Sequence, residues 1–305
     1  MPPIKEPEFP LISIITLNYN QADVTCQFLE STKDLSYPNV EIIVCDMNSD
    51  EDPTQKISAV NLPNVQVILS DVNLGFAAGN NLGMSNAKGG YVFIVNNDTE
   101  VTPGLLNELM GAFKKDASIG VVSPKIKYFD HPDTIQYAGF NKMNMCTGRT
   151  STIGDKEKDL GQHDTGRYSW GAHGCAMMVK KEVIHKTGRF PAVFFLYYEE
   201  WDWSSRILKA GFHIYYEPKA VIYHKESMSV GKESTLKTFY LNRNRILFLR
   251  RNSNTIQCVV FYIYYLLFAI PKNILAFGIK KQFTHLRAYL KAVSWNFTHS
   301  TASEL

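Results

Sequence analysis

Leu11-Ile12-Ser13-Ile14-Ile15-Thr16-Leu17-Asn18-Tyr19-Asn20 decides the fold. The first seven residues are almost continuously apolar and rich in β-branched side chains. They have the length of a strand covered on both faces, as in a parallel sheet. Three further runs share that character: Val40–Cys45 (VEIIVC), Val65–Leu69 (VQVIL) and Tyr91–Val95 (YVFIV). Between the runs, Ala22–Lys33, Thr54–Val60 and Ala77–Ala87 read as crossover helices. The order βαβαβαβ predicts an α/β architecture with right-handed connections. Leu105–Lys115 continues it as a helix entered through Pro103.

Composition narrows the class. The chain has 305 residues, 45% apolar and 20% charged, enough for a sizeable core and unlike a disordered chain, collagen or a coiled coil. Cys26, Cys45, Cys146, Cys175 and Cys258 are odd in number and scattered, which suits a reducing cytosol better than a disulfide framework. Met1–Pro10 has no apolar run, so no signal peptide is expected. The net charge of +3 conceals an asymmetry: Met1–Leu236 carries 22 Lys+Arg against 28 Asp+Glu, whereas Lys237–Leu305 carries 10 against one acid, Glu304. A basic, aromatic-rich tail calls for an anionic partner, membrane or nucleic acid.

Downstream, Ile119–Tyr128, Ile135–Phe140, Cys175–Val179 and His213–Glu217 read as strands, and Lys181–Thr187 and Trp201–Ala210 as helices. Met145–Arg167 is expected to be a mobile surface loop. In the tail, Ile256–Ile270 (IQCVVFYIYYLLFAI) has one clearly polar residue, Gln257, before Pro271. Its fifteen residues fall short of the roughly 20 that span a bilayer. Bases flank it on both sides, from Arg243, Arg245, Arg250 and Arg251 to Lys280, Lys281, Arg287 and Lys291. This suggests an interfacial anchor. A buried core helix or a homodimer interface is the alternative.

Ligands of open α/β sheets bind beyond the carboxyl ends of the strands. There the chain places Asn18-Tyr19-Asn20, Asp46-Met47-Asn48-Ser49-Asp50, Asn73-Leu74-Gly75-Phe76-Ala77-Ala78-Gly79-Asn80-Asn81 and Asn96-Asn97-Asp98-Thr99-Glu100. One such cluster is ordinary turn or cap chemistry; four on one edge point to a ligand. Asp46 can accept the imide N–H of a uracil or thymine, with Tyr19 covering the ring. Gly75 and Gly79 allow a phosphate to approach a helix start. Asp98 can hold Mg²⁺ or Mn²⁺ against a diphosphate. Further on, Glu199, Glu200 and Asp202 sit among bulky aromatics, where an acid gains proton affinity and can serve as a general base. Charge complementing a helix dipole explains Glu199, and an Asp202–Arg206 pair at i, i+4 explains Asp202; Glu200 is left over. His224 is either structural or a metal ligand.

Taken together, these strings resemble glycosyltransferase family 2, with its GT-A fold, and within it the rhamnosyltransferase-like branch. The resemblance runs from about Leu11 to Arg251 and includes Gly174-Cys175-Ala176-Met177-Met178-Val179 and Tyr198-Glu199-Glu200-Trp201-Asp202-Trp203. It implies a Rossmann-like, mostly parallel sheet flanked by helices, with a C-terminal helical, membrane-associating tail. Residues 1–236 would form the transferase domain, its nucleotide-sugar half about 1–128 and its acceptor half about 129–236; residues 237–305 would form the tail. By position, Asn18, Tyr19 and Asp46, with Asn20 and Asn48, would hold the nucleoside. Asn73, Gly75, Phe76, Gly79 and Asn80, with Asn97, would line the sugar-nucleotide pocket. Asn96-Asn97-Asp98 matches the family's Asp-x-Asp metal motif with Asn in place of the first acid, leaving Asp98 as the metal ligand, helped by Asn96 and His224. Glu200 replaces the family's usual Asp as catalytic base, and Arg243 and Arg245 would contact a diphosphate.

The implied activity is an inverting, metal-dependent transfer of a sugar, rhamnose from dTDP-rhamnose first, to a cell-surface glycan or lipid-linked acceptor on the cytoplasmic face of the membrane. Met145–Arg167 and Trp170–His173 are the expected acceptor contacts. A transferase of the same family using a UDP-hexose is one alternative, and a non-catalytic sugar-nucleotide-binding module is another. Nucleic-acid binding through the tail fits less well, because the long apolar run favours lipid.

Overall fold

The computed structural model describes residues 7–225 and 234–301; Met1–Glu6, at the expected leaderless start, and Glu304 lie outside them. The apolar runs become the strands expected of them. β1 (Ile12–Asn18) pairs in parallel with β2 (Val40–Asp46) and β4 (Tyr91–Val95), and β2 pairs with β3 (Val65–Leu69). Crossovers run through α1 (Ala22–Thr32), α2 (Thr54–Ala59) and α3 (Gly75–Asn86).

Beyond β4 the sheet becomes mixed. β5 (Thr99–Val101) and α4 (Leu105–Phe113) lead to β6 (Ile119–Tyr128), which pairs with a short β7 (Ile135–Tyr137). β8 (Arg167–Ser169) precedes β9 (Ala176–Lys180), which inserts antiparallel between β4 and β6. After α5 (Lys181–Thr187) and α6 (Glu199–Lys209), β10 (His213–His224) runs parallel to β6 and antiparallel to β5 and β8. The order β3-β2-β1-β4-β9-β6-β10-β5 puts the ends of β1, β2, β4 and β6, and the start of β9, on one edge.

Two apolar layers cover the sheet. One contains Ile14, Phe28, Val44, Phe93, Leu109 and Tyr216; the other contains Ile15, Ile43, Met84, Ile94, Trp203 and Ile214. Consecutive residues such as Ile14 and Ile15 serve opposite layers, which is why the runs are apolar throughout. α3 lies unusually close to the sheet. A Cβ on Gly83 would collide with Cγ2 of Ile15, and one on Gly79 would sit 2.7 Å from Sδ of Met47.

Two segments differ from expectation. Met145–Arg167 is pinned rather than mobile: Ala138 donates to the Ile153 carbonyl at 2.9 Å, and the buried Lys125 reaches Asp159 at 3.1 Å and Asp164 at 2.5 Å. The tail forms α7 (Thr235–Asn252), α8 (Thr255–Tyr264), a π turn (Tyr265–Ala269), α9 (Ile270–Ile279) and α10 (Phe283–Thr298). The helix does not stop at Pro271. The widened π turn just before it absorbs the residue that lacks an N–H, so Thr255–Ile279 is one 25-residue apolar helix.

Gly83→Val tests the close packing of α3. It is expected to lower unfolding free energy by about 1–3 kcal/mol through overpacking, measured by urea denaturation.

Candidate active site

The asparagines and aspartates at the strand ends divide into a frame and an open edge. Asn18, buried at the end of β1, donates from Nδ2 to Asp46 Oδ1 at 2.7 Å and accepts from the Thr25 hydroxyl at 2.7 Å. Thr25 in turn accepts from Asn97 Nδ2 at 2.9 Å. Asp46 also takes the Ser49 hydroxyl at 2.6 Å and the Ser49 N–H at 2.9 Å. The side chains of Asn18 and Asn97, expected to meet the nucleoside and the donor, are here engaged within the protein: Asn18 ties β1 to β2 and α1, and Asn97 Nδ2 ties the end of β4 to α1. Asp46, itself 3% exposed, takes one donor on Oδ2 and has acceptor capacity left there. Thr25 and Ser49, which close this network, escaped the sequence reading because each is a common surface residue with no local signal.

The open edge is made of what remains. Tyr19 is 44% exposed, so its ring is free to cover a base. Asn20 and Asn48 adopt positive φ (52° and 62°), and Asn20 Oδ1 accepts from the Asp50 N–H at 2.7 Å. Asn73 accepts the Gly75 N–H at 2.9 Å, shaping the turn into α3. Gly75 has φ 71° and lies under the Phe195 ring. Phe76 is half-buried against Phe190. Gly79 and Asn80 depart from expectation. Gly79 faces Met47 and Leu17 inside the fold, and Asn80 is buried with its amide bonded to the Phe76 carbonyl at 2.9 Å.

Asp98 is 5% exposed, and its Oδ1 is buried without a hydrogen bond. His224 Nε2 approaches to 3.2 Å, close enough for an ionic contact but poorly aligned. His224 Nδ1 lies 2.8 Å from the side-chain amide oxygen Oε1 of Gln136, which fixes Nδ1 as the donor. Burial opposes a cation at His224, but Cys175 and Asp98 outweigh it and hold its proton affinity well above that of free imidazole. Burial also raises the Cys175 thiol, so the carboxylate supplies the charge. Asn96 is half-buried beside them, its N–H bonded to the Cys175 carbonyl at 2.9 Å. Among the described residues no three His, Cys, Asp or Glu side chains converge as a ready metal cage. Gln136 and Cys175 were not foreseen, since the topology alone brings them to His224.

The second acidic site forms at the start of α6. Glu199 is buried and Glu200 half-buried, and the Oε2 atom of each is sealed from solvent without a hydrogen bond. Desolvation raises Glu200 to about 7; burial, together with the neighbouring Glu200 charge, raises Glu199 well above the carboxylate range. The pair is delivered by a contorted turn. Phe195, Tyr197 and Tyr198 have φ of 63°, 69° and 74°, each costing about 1–2 kcal/mol for an L residue. Asp202, as its spacing predicts, meets Arg206 Nε at 3.0 Å; it also meets Arg251 Nε and Asn252 Nδ2, both at 2.8 Å.

Arg243, expected to meet a diphosphate, is instead bonded into the frame, whereas Arg245 is engaged at Nε and keeps a buried Nη2 without a hydrogen bond. Both are buried. Arg243 Nη2 donates to the Val193 and Phe194 carbonyls at 2.6 and 2.7 Å beneath the Tyr240 and Trp295 rings. Arg245 Nε donates to the Thr147 carbonyl at 2.6 Å.

An aromatic path joins the two acidic sites. Trp201, next to Glu200, meets Phe140 edge-on at 4.2 Å; Phe140 stacks on His173 at 5.8 Å; and His173 lies within electrostatic reach of His224. Burial, with His224 adding, lowers His173 to about 3 and keeps it neutral. Trp170 packs against Trp201 at the same wall.

Residues 13–188 match the sequence model of Glycosyl transferase family 2. Among curated relatives, N-acetylglucosaminyl-diphospho-decaprenol L-rhamnosyltransferase of Mycobacterium tuberculosis is 22% identical over 73% of this chain and 78% of that protein. A UDP-Glc:α-D-GlcNAc-diphosphoundecaprenol β-1,3-glucosyltransferase of Escherichia coli is 32% identical over 32% of this chain and 40% of its own length. In fold, the chain is similar to a mannosyltransferase of Pyrobaculum calidifontis solved with GDP-Man and Mn²⁺, with TM-score 0.58, 16% identity, and coverage of 95% of this chain and 87% of that one. The family match over most of the sheet, joined to a GT-A architecture and acids gathered at its strand ends, makes this chain a nucleotide-sugar-dependent member of glycosyltransferase family 2.

Proposed function

We propose that the chain is an inverting transferase that moves one sugar from a nucleoside diphosphate to a hydroxyl of a lipid-diphosphate-linked glycan, on the cytoplasmic face of the membrane, in cell-surface glycan assembly. The observation that carries this reading is Glu200. A carboxyl with one oxygen sealed and unpartnered, and a proton affinity raised to about 7, suits a base working near neutral pH. Glu200 takes the proton of the acceptor hydroxyl. The oxygen attacks the anomeric carbon on the face opposite the diphosphate, the C–O bond to the diphosphate breaks, and the nucleoside diphosphate leaves. One displacement inverts the anomeric centre without an enzyme-bound sugar. Rhamnose from dTDP-rhamnose is the first donor choice, supported by the mycobacterial relative; the Escherichia coli relative supports a UDP-hexose as the alternative.

The orphaned Asp98 oxygen fits a divalent cation. Asp98 would hold Mg²⁺ or Mn²⁺ with Asn96 beside it, His224 would join through Nε2 on giving up its proton there, and the donor's phosphate oxygens would complete the hard ligand set. Such an ion supplies neutralisation of the charge on the departing diphosphate. Tyr19 and the free part of Asp46 would take the base.

The tail supports membrane contact in one leaflet. Thr255–Ile279 is long and apolar enough to cross a bilayer, yet α10 returns alongside it. Phe277 of α9 packs on Tyr289 of α10, and α10 carries the exposed Arg287 and Lys291. A crossing would drag those cations into hydrocarbon. Lying flat instead leaves Ile263, Leu266, Leu267, Phe268 and Leu275, all more than half exposed, to enter the headgroup boundary, with Lys272, Lys280 and Lys281 on anionic lipid.

Glu200→Gln keeps the shape and removes the base. Its kcat for nucleoside diphosphate release should fall roughly 10²–10⁴-fold; near wild-type turnover would refute the assignment. In the wild type the base must be ionised, so kcat should rise with pH and level off above about 7. Leu266→Glu with Leu267→Glu should abolish co-flotation with liposomes containing anionic lipid while leaving the melting temperature in solution unchanged.

A further inference from the structure

Asn244 lies on α7, in the segment set apart by its charge, yet its amide meets the turn that delivers Glu200. Nδ2 reaches the carbonyls of Phe194, Leu196 and Tyr197 at 2.9, 2.7 and 2.7 Å. Its Oδ1 is held by Arg243 Nε at 2.6 Å, and Arg243 Nη2 grips the Val193 and Phe194 carbonyls. Phe195 (φ 63°, ψ −58°) forms a tight turn closed by the Leu196 N–H on the Phe194 carbonyl at 2.7 Å, a strained geometry. The Phe194 carbonyl therefore receives three donors, two of them from α7. On its other side the turn reaches the donor helix: the Ala77 N–H donates to the Phe195 carbonyl at 3.2 Å, and the Phe195 ring lies on Gly75 and stacks on Tyr240 of α7 at 5.0 Å. α10 secures α7 in turn, through Asn296 Nδ2 on the Arg243 carbonyl at 3.0 Å.

We infer that Asn244, braced by Arg243, is the positioning residue for the base: by sharing its two amide hydrogens among the Phe194, Leu196 and Tyr197 carbonyls it fixes the left-handed segment that carries Glu200 into place, which makes α7 part of the catalytic apparatus. This rests on the reading of Glu200 as base. The charged and titratable groups facing the acidic pair are Tyr197 and Tyr198 of the turn and Arg243 of α7, while Arg245 and Arg149 face Tyr198. Asn244→Ala removes none of them but frees Arg243 Nε from its Asn244 partner; Arg243→Lys perturbs that cation directly, so a shift smaller in Arg243→Lys than in Asn244→Ala assigns the change to the turn.

The experiment compares full-length wild type, Asn244→Ala and Arg243→Lys, which keeps the cation but not the fork. Release of nucleoside diphosphate from dTDP-rhamnose, or from UDP-glucose, is followed with Mn²⁺ across pH 5–8, alongside thermal unfolding over the same range. For Asn244→Ala, kcat should fall tenfold to a hundredfold with donor KM within twofold. The acid limb should move from near 7 toward the ordinary 4.5, because the loosened turn admits water. Unfolding gives a second readout. The pair binds protons more tightly folded than unfolded, so wild-type stability should decline as pH rises from about 4.5 to 7; that slope should flatten in the variant. Arg243→Lys should shift each quantity the same way by less, and it carries the comparison if Asn244→Ala fails to fold. A folded Asn244→Ala with the wild-type acid limb and stability slope overturns the inference, whether or not kcat falls. If even the wild type turns over no donor, the stability slope still decides the role of Asn244, and the enzymatic reading fails separately.

Discussion

Two adjacent carboxyl groups in the first turn of a buried helix constrain this half of the molecule more than any other feature. Glu199 and Glu200 are removed from water with an unpartnered oxygen each, and two such groups side by side resist joint ionisation. The surroundings answer in backbone and in charge. Three left-handed residues turn the chain so that both acids enter α6, and α7 brings Arg243 within electrostatic reach. Asp202, one turn further along α6, is equally buried but meets Arg206, Arg251 and Asn252. Three acids within four residues thus have two kinds of environment, one satisfied by cations and one with an oxygen left unbonded.

The nucleotide half follows a different logic. Its polar strand ends are mostly engaged with one another, through Asn18, Asp46, Thr25 and Asn97. Such a network is expensive to bury unless complete, and its completeness leaves a stiff platform. What stays without a hydrogen bond on the platform is sparse: the Tyr19 ring, part of Asp46 and the Asp98 oxygen, which has the His224 ring at 3.2 Å as an ionic contact. Rigid support with few open contacts suits a site that must hold a flexible diphosphate in one pose.

The first four strands and their crossovers were legible because full burial on both faces writes an uninterrupted apolar run, and Lys181–Thr187 kept its predicted bounds. The gathering of acids at one edge was legible because parallel strands share an edge by construction. The antiparallel insertion of β9 was not, since nothing in Ala176–Lys180 encodes a partner or a direction. Residue roles were read less well than positions. An Asn that binds a ligand and an Asn that closes a buried network look alike in sequence, as Asn18, Asn80 and Asn97 show. Arg243 and Arg245 looked like anion ligands because their carbonyl partners, Val193, Phe194 and Thr147, lie far away in the chain. Pro271 suggested an end to the apolar helix because a π turn is not written in residue type.

The last helix closes the molecule back on itself. Arg250 reaches the His299 carbonyl at 3.1 Å and Arg251 the Thr301 carbonyl at 2.7 Å, while Arg251 also holds Asp202 of α6. A tail latched in this way is part of the support of α6 and not a detachable cassette. A hybrid that joined this sheet to a foreign C-terminus would forfeit the latch around α6. Asp202 would then keep Arg206 as its remaining ion-pair partner.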